Sequence, residues 1–155
     1  MSEKKAFFES MDGSKLKIGI AVSRWNEAIT SLLLQSCRQA LLDSGLDEDN
    51  IMEQKVPGSY ELVFAAKYLI EAKAVDAVVA IGCLIKGETP HFEYLAGAVS
   101  KGIMDLNIQC RKPVIFGVLT CLNEEQARTR SSGENNHGYD WGKSAVEMAL
   151  LVGDC

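Results

Sequence analysis

The chain has 155 residues, 47% apolar and 24% charged, with a formal net charge of −5. That profile predicts an ordinary globular protein, a single domain over 1–155 with room for a real core. The acidic balance argues against a nucleic-acid partner, and no apolar run approaches the roughly 18 residues of a membrane span.

The start, Met1-Ser2-Glu3-Lys4-Lys5, leads into three apolar residues, too few for a secretory signal. The next segment, Ala6 to Glu9, is a candidate N-terminal edge strand, and Asp12-Gly13-Ser14 is a turn. Lys17 to Val22 reads as a strand, and Ser23-Arg24-Trp25-Asn26 as the loop after it. A helix to about Ser44 carries Ile29, Leu32, Leu33, Cys37, Ala40 and Leu41 at helical spacing, with Gly45 as its C-terminal cap. Ile51 to Val56 is a second strand, broken by Pro57-Gly58-Ser59. Ser59 caps a helix through Ala72.

Ala77 to Ile81 is an apolar run typical of a buried parallel strand. Gly82 and Gly87 bracket the loop after it. Thr89 can cap a helix with Pro90 at its first position, and this helix runs to about Leu106. Val114 to Leu119 is a fourth strand. Asn123-Glu124-Glu125-Gln126 has the form of a capping box opening a short helix. Ser131 to Gly138 is polar and Gly/Asn-rich, hence a loop, and the last helix starts at Asp140.

Four strands each followed by a helix predict an α/β fold with a four-stranded parallel sheet covered on both faces. Ligands of such sheets bind outside the carboxyl ends of the strands. The loops at that edge hold Trp25, Tyr60, Glu61, Lys86 and His91. A strand, a Gly-rich turn and a helix N-terminus offer free N–H groups and a positive dipole end to an anion. His91, one of two histidines, puts a titratable group beside that anion site, which suggests catalysis on a small phosphorylated substrate. The spacing Gly82 to Gly87 is not a P-loop, because Glu88 occupies the lysine position.

Each residue alone has a plainer reading. Trp25 could anchor packing, Glu61 could serve only the helix dipole, Phe116 could be core, and Arg130 and His137 could be solvated surface. The cysteines, Cys37, Cys83, Cys110, Cys121 and Cys155, are odd in number and lack a C-x-x-C pair. They read as free thiols in a reducing compartment, which predicts a cytoplasmic protein. No His/Cys grouping has metal-ligand spacing.

Together, Arg24-Trp25-Asn26, Val56 to Leu62, Gly82 to Tyr94 and Pro113 to Thr120 resemble the 6,7-dimethyl-8-ribityllumazine synthases. So do Glu125-Gln126-Ala127 with Arg130, and Ala145 to Ala149. The likeness runs in order along nearly the whole chain. Val63 stands where the family usually has Pro, and Ser131-Ser132 where it usually has Ala-Gly.

The resemblance implies a flavodoxin-like three-layer sandwich and the penultimate step of riboflavin biosynthesis. In that step 5-amino-6-(ribitylamino)uracil condenses with 3,4-dihydroxy-2-butanone 4-phosphate, releasing phosphate and water. It implies that Trp25 stacks on the pyrimidine beside Asn26, and that Ser59, Tyr60 and Glu61 hold the ribityl chain. Cys83, Leu84 and Ile85 line the ring, and Phe116 closes the pocket. Gly87, Glu88 and Thr89 offer backbone N–H groups to phosphate, with Arg130 as countercharge and Lys86 and His137 as further candidates. His91 is the acid–base group. No metal or redox cofactor is implied. The partners implied are the two small substrates and other copies of the chain: a pentamer, or twelve pentamers closed into a 60-subunit shell. The ending Asn136-His137-Gly138-Tyr139-Asp140-Trp141-Gly142 resembles the fungal members, which favours the free pentamer. In the family, Phe116, Arg130 and the His137 position come from the adjacent subunit. A non-catalytic flavin or lumazine binder on the same scaffold is one rival reading; it would keep Trp25 and Glu61 without needing His91 or Arg130. A purely structural shell protein is the second, and would need none of them.

Overall fold

The computed structural model describes residues 7–153. Among these described residues, four strands form one sheet in the order β2-β1-β3-β4. They are β1 (Ile18–Ser23), β2 (Ile51–Val56), β3 (Ala77–Ile85) and β4 (Val114–Cys121), and every pair is parallel. The helices are α1 (Glu27–Asp43), α2 (Leu62–Lys73), α3 (His91–Cys110), α4 (Glu124–Arg130) and α5 (His137–Gly153).

Side chains alternate across each strand, so the sheet feeds two cores. Ile18, Ile20, Val79 and Ile81 pack with Leu33, Cys37 and Leu41 of α1 and Ala145, Val146 and Ala149 of α5. Ala21, Val78 and Ala80 pack with Leu62, Ala66 and Leu69 of α2 and Val99, Ile103 and Leu106 of α3. The result is the expected three-layer sandwich. β3 is buried from Ala77 to Leu84, as an inner strand between two helix layers must be. β2 lies at the edge and shows Glu53, Gln54 and Lys55 to solvent.

Several boundaries differ from the sequence reading. Ser59 does not cap α2: it opens a 3-10 turn over Ser59–Glu61, and α2 starts only at Leu62. β3 runs on to Ile85, so Gly82 lies inside the strand rather than opening a loop. A Cβ at Gly82 would collide with Ser59 Oγ and reach Leu62 Cδ1 at 3.0 Å; the glycine is there to let the chain after β2 come close. Helix α5 starts at His137, not Asp140. There Gly138 packs against the backbone of Leu33, where any side chain would clash. Helix α3 continues to Cys110 and ends at Arg111, which takes the left-handed C-terminal conformation (φ 52). Of the candidate edge strand, Ala6 lies outside the described residues and Phe7 to Glu9 form no strand.

The chain moves from β1 outward to β2, then crosses back over β1 to β3 and on to β4. The switch in direction falls between β1 and β3. Loops leaving the two strands diverge there and open a crevice at their carboxyl ends.

Candidate active site

A cleft of about 1010 Å³ occupies that crevice. The loop after β1 contributes Trp25 and Asn26, and the turn after β2 contributes Ser59, Tyr60 and Glu61. The end of β3 contributes Cys83, Leu84 and Ile85, and the loop into α3 contributes Gly87, Thr89 and His91. Residues far apart in sequence therefore converge as the strand-edge rule predicts.

Trp25 is 72% exposed, so its ring packs against little of its own chain and is free to stack on a flat ligand. Glu61 is partly committed. Its Oε2 accepts from Gly58 N–H at 3.1 Å while Gly58 O accepts from Glu61 N–H at 3.3 Å. Gly58 has no side chain to return the favour, so this is half of a capping box. It orients the carboxylate and leaves Oε1 for a ligand hydroxyl. Ser59 is buried beneath it, against Gly82.

At the start of α3 the cap residue is Pro90, whose carbonyl accepts from Tyr94 N–H at 3.3 Å. Thr89 Oγ1 accepts from His91 N–H at a long 3.5 Å. This corrects the sequence reading: Pro90 rather than Thr89 is the cap residue, His91 rather than Pro90 is the first helical residue, and no side chain caps the helix. Gly87 and Thr89 stand just before the helix N-terminus, where N–H groups and the helix dipole favour an anion. His91 is exposed in the first turn, facing the same cleft.

Sequence reasoning overlooked Pro57, Gly58, Phe92, Tyr94, Leu95 and Ala98, which also line the cleft. Helical spacing from His91 is the signal for three of them: Tyr94, Leu95 and Ala98 follow at i+3, i+4 and i+7.

Lys86 and Glu88 share the loop but do not line the cleft. Lys86 Nζ instead pairs with Glu93 Oε1 at 2.7 Å, and the ammonium's hydrogen bond holds the Glu93 carboxyl below its ordinary range. Phe116, Arg130 and His137 are not brought to the cleft either. Phe116 borders a separate apolar groove of about 380 Å³ with Thr120 and Leu122, and Phe92 lines both cavities. Arg130 is half-buried and donates from Nη1 to Gln126 O at 3.1 Å. His137 sits edge-on to Trp141, centroids 6.1 Å apart. Among the described residues no lysine or arginine lines the cleft.

Cys83 touches the cleft but is 1% exposed, and burial, reinforced by Cys121, pushes its thiol up to about 12. It is a packing group there, not a nucleophile. Among the described residues no three His, Cys, Asp or Glu side chains cluster to hold a metal ion.

A family model described as 6,7-dimethyl-8-ribityllumazine synthase matches residues 15–152. The proteins of that name from Porphyromonas gingivalis, Thermus thermophilus and Pyricularia oryzae are 46%, 44% and 41% identical to this chain. The alignments cover 90%, 88% and 90% of this chain and 87%, 88% and 89% of the relatives. The chain belongs to the 6,7-dimethyl-8-ribityllumazine synthase family.

Proposed function

We propose that this chain is a single-domain lumazine synthase, a transferase that condenses 5-amino-6-(ribitylamino)uracil with 3,4-dihydroxy-2-butanone 4-phosphate. The products are 6,7-dimethyl-8-ribityllumazine, phosphate and water, at the penultimate step of riboflavin biosynthesis. The observation that carries the reading is the union, in one cleft, of an exposed indole, an oriented carboxylate and a helix N-terminus with its histidine.

The residues suit the chemistry in order. Trp25 stacks on the pyrimidine, beside the end of β3. Glu61, fixed by Gly58, accepts from ribityl hydroxyls, with Ser59 and Tyr60 alongside. The Gly87–Thr89 loop and the α3 dipole receive the phosphate. The ring amine attacks the ketone and water leaves to give an imine. Phosphate is then eliminated, the enol left behind tautomerises to a ketone, and the ribityl-bearing amine attacks that ketone and closes the second ring with loss of a second water. His91 is close enough to that anion site to carry the protons these steps exchange. Both substrates are already reactive, so holding them together in the right geometry supplies much of the acceleration.

We infer that the site is completed by a second copy of the chain. A dianionic phosphate in a cleft that no lysine or arginine of the described residues lines lacks its countercharge there, and Arg130 lies elsewhere in its own chain. The apolar groove beside Phe116 and the exposed Phe64, Tyr68, Met104 and Ile108 supply surface for such contacts. The assembly we favour is a homopentamer. Cys37, Cys83, Cys110 and Cys121 are free thiols, in keeping with a reducing cytoplasm. No helix among the described residues is long and apolar enough to cross a membrane.

Mixing the two substrates with the purified protein and following lumazine absorbance tests the reaction. Product formation supports it. Binding of the lumazine product without turnover would favour the non-catalytic binder instead.

A further inference from the structure

The backbone directions in β3 can be read from two hydrogen bonds. Val78 N–H donates to Pro113 O and Lys86 N–H to Cys121 O, so even-numbered residues face β4. Backbone groups alternate along a strand, so Ile81, Cys83 and Ile85 face β1. The β1–β3 register ends at Val22 and Ile81. Cys83 is thus the first β1-facing residue past the end of the ladder, and it is buried. A buried carbonyl needs a donor. Asn26 supplies it: Nδ2 donates to Cys83 O at 2.9 Å.

The same residue turns the chain into α1. Its backbone is left-handed (φ 61, ψ 44), and its carbonyl accepts from Ile29 N–H and Thr30 N–H at 2.9 and 3.0 Å. On the other side of the loop, Arg24 N–H donates to Val56 O at 2.8 Å and Trp25 N–H to Pro57 O at 3.0 Å. The Trp25 backbone is therefore strung between the ends of β2 and β3, and its ring projects into the cleft.

We propose that Asn26 is a positioning residue: its amide stands in for the missing rung between β1 and β3 and so fixes where the Trp25 ring stands. The inference builds on the cleft reading above, but gives Asn26 a different role from contact with the pyrimidine. Two demands meet at this position. The left-handed backbone favours Gly, Asn or Asp, and the bare carbonyl demands a short side-chain donor. Glycine meets the first only. Aspartate meets the first and sets an oxygen against the carbonyl oxygen. Asparagine meets both.

The test uses a Trp141→Phe background, in which Trp25 is the only tryptophan of the two in the chain. Asn26→Gly and Asn26→Asp are compared with this parent by Trp25 fluorescence anisotropy and by steady-state kinetics. Both variants should lower the anisotropy. Both should raise KM for the pyrimidine at least about tenfold while KM for the phosphorylated ketone stays within about twofold. A raised pyrimidine KM with unchanged anisotropy would overturn the proposal, because Asn26 would then touch the substrate directly. Unchanged anisotropy and unchanged KM would overturn it too. Should Asn26→Asp fail to fold, Asn26→Gly decides, since it keeps the backbone conformation. Anisotropy needs no turnover, so an inactive wild-type protein would sink the proposed reaction while the fluorescence still judged the rung.

Discussion

Lys86 Nζ and Glu93 Oε1 lie 2.7 Å apart, clasping the loop between β3 and α3 across its two ends. Lys86 N–H also donates to Cys121 O at 2.9 Å, so the loop is anchored to the sheet at its start and to the helix at its finish. Gly87 and Thr89 are held between these anchors.

The clasp is half exposed on both sides, so its strength must fall with salt. Glu93→Gln should weaken binding of the phosphorylated ketone by no more than about fivefold at low ionic strength. The gap from wild type should close near 1 M salt, where the Debye length shrinks to about 3 Å. KM measured against salt for both proteins checks this. A gap independent of salt would mean that Glu93 acts other than through Lys86.

His91 is the one imidazole in the cleft. His91→Ala should lower kcat with little change in either KM. General acid–base contributions are typically about 10²-fold or more, and substrates this reactive keep the loss at or below the low end of that range. An unchanged kcat would remove His91 from the mechanism.

How much of this was legible beforehand depends on whether the cause is local. Alternating strand and helix patterns, and the turn residues between them, are local, so the layers and the loops holding Trp25, Glu61 and His91 could be read directly. The end of β3 could not. Gly82 looks like a loop residue until Ser59 is seen packed onto it. The start of α5 was hidden for the same reason: Asn136-His137-Gly138 has loop composition, but Gly138 and Gly142 are the flat surface that lets α5 lie on the α1 backbone. The roles of Phe116, Arg130 and His137 came only from family likeness, and one chain folded alone leaves all three outside the cleft.

Burial sets the alkaline limit of stability. The Cys37 thiol is fully buried under α5 and is pushed from 9.0 up to about 12 by loss of solvent. Its folded value lies above its unfolded one, so its contribution is complete below about pH 9 and is lost as pH climbs from there toward 12. Across that window each such thiol costs about 1.4 kcal/mol per pH unit. Cys83, also raised to about 12, acts in the same direction. Urea unfolding of wild type and Cys37→Ala at pH 8 and pH 10.5 isolates the effect. The wild type should lose roughly 2 kcal/mol more than the variant between the two. Parallel losses would show that the Cys37 thiol ionises freely in the folded protein.

Arg130 is held against the last turn of α4, away from the cleft of its own chain. If a neighbour's Arg130 meets the phosphate, Arg130→Ala should raise KM for the phosphorylated ketone roughly ten- to a hundredfold and leave KM for the pyrimidine nearly unchanged. Equal effects on both substrates would point to a part in folding or assembly.

A site shared between subunits would make a further demand that depends on assembly. Each cleft would take His91 from one subunit and Arg130 from the next, so two differently damaged chains can rebuild an intact site between them. His91→Ala and Arg130→Ala chains, unfolded together in equal amounts and refolded, should pair at random around a closed ring. About a quarter of the clefts would then carry both residues, since each has about one chance in two of coming from the undamaged chain. Activity at low ketone concentration should recover to about a quarter of wild type, far above either variant alone. Light scattering fixes the ring. A pentamer of 16.9 kDa chains weighs about 85 kDa and a 60-subunit shell about 1,014 kDa. A mass near 85 kDa with recovered activity establishes a pentamer with shared sites. A particle near a megadalton overturns the free pentamer but keeps the sharing. An active monomer, or refolded mixtures no better than their parents, overturns the sharing itself, and Arg130 must then reach the phosphate within its own chain or not at all.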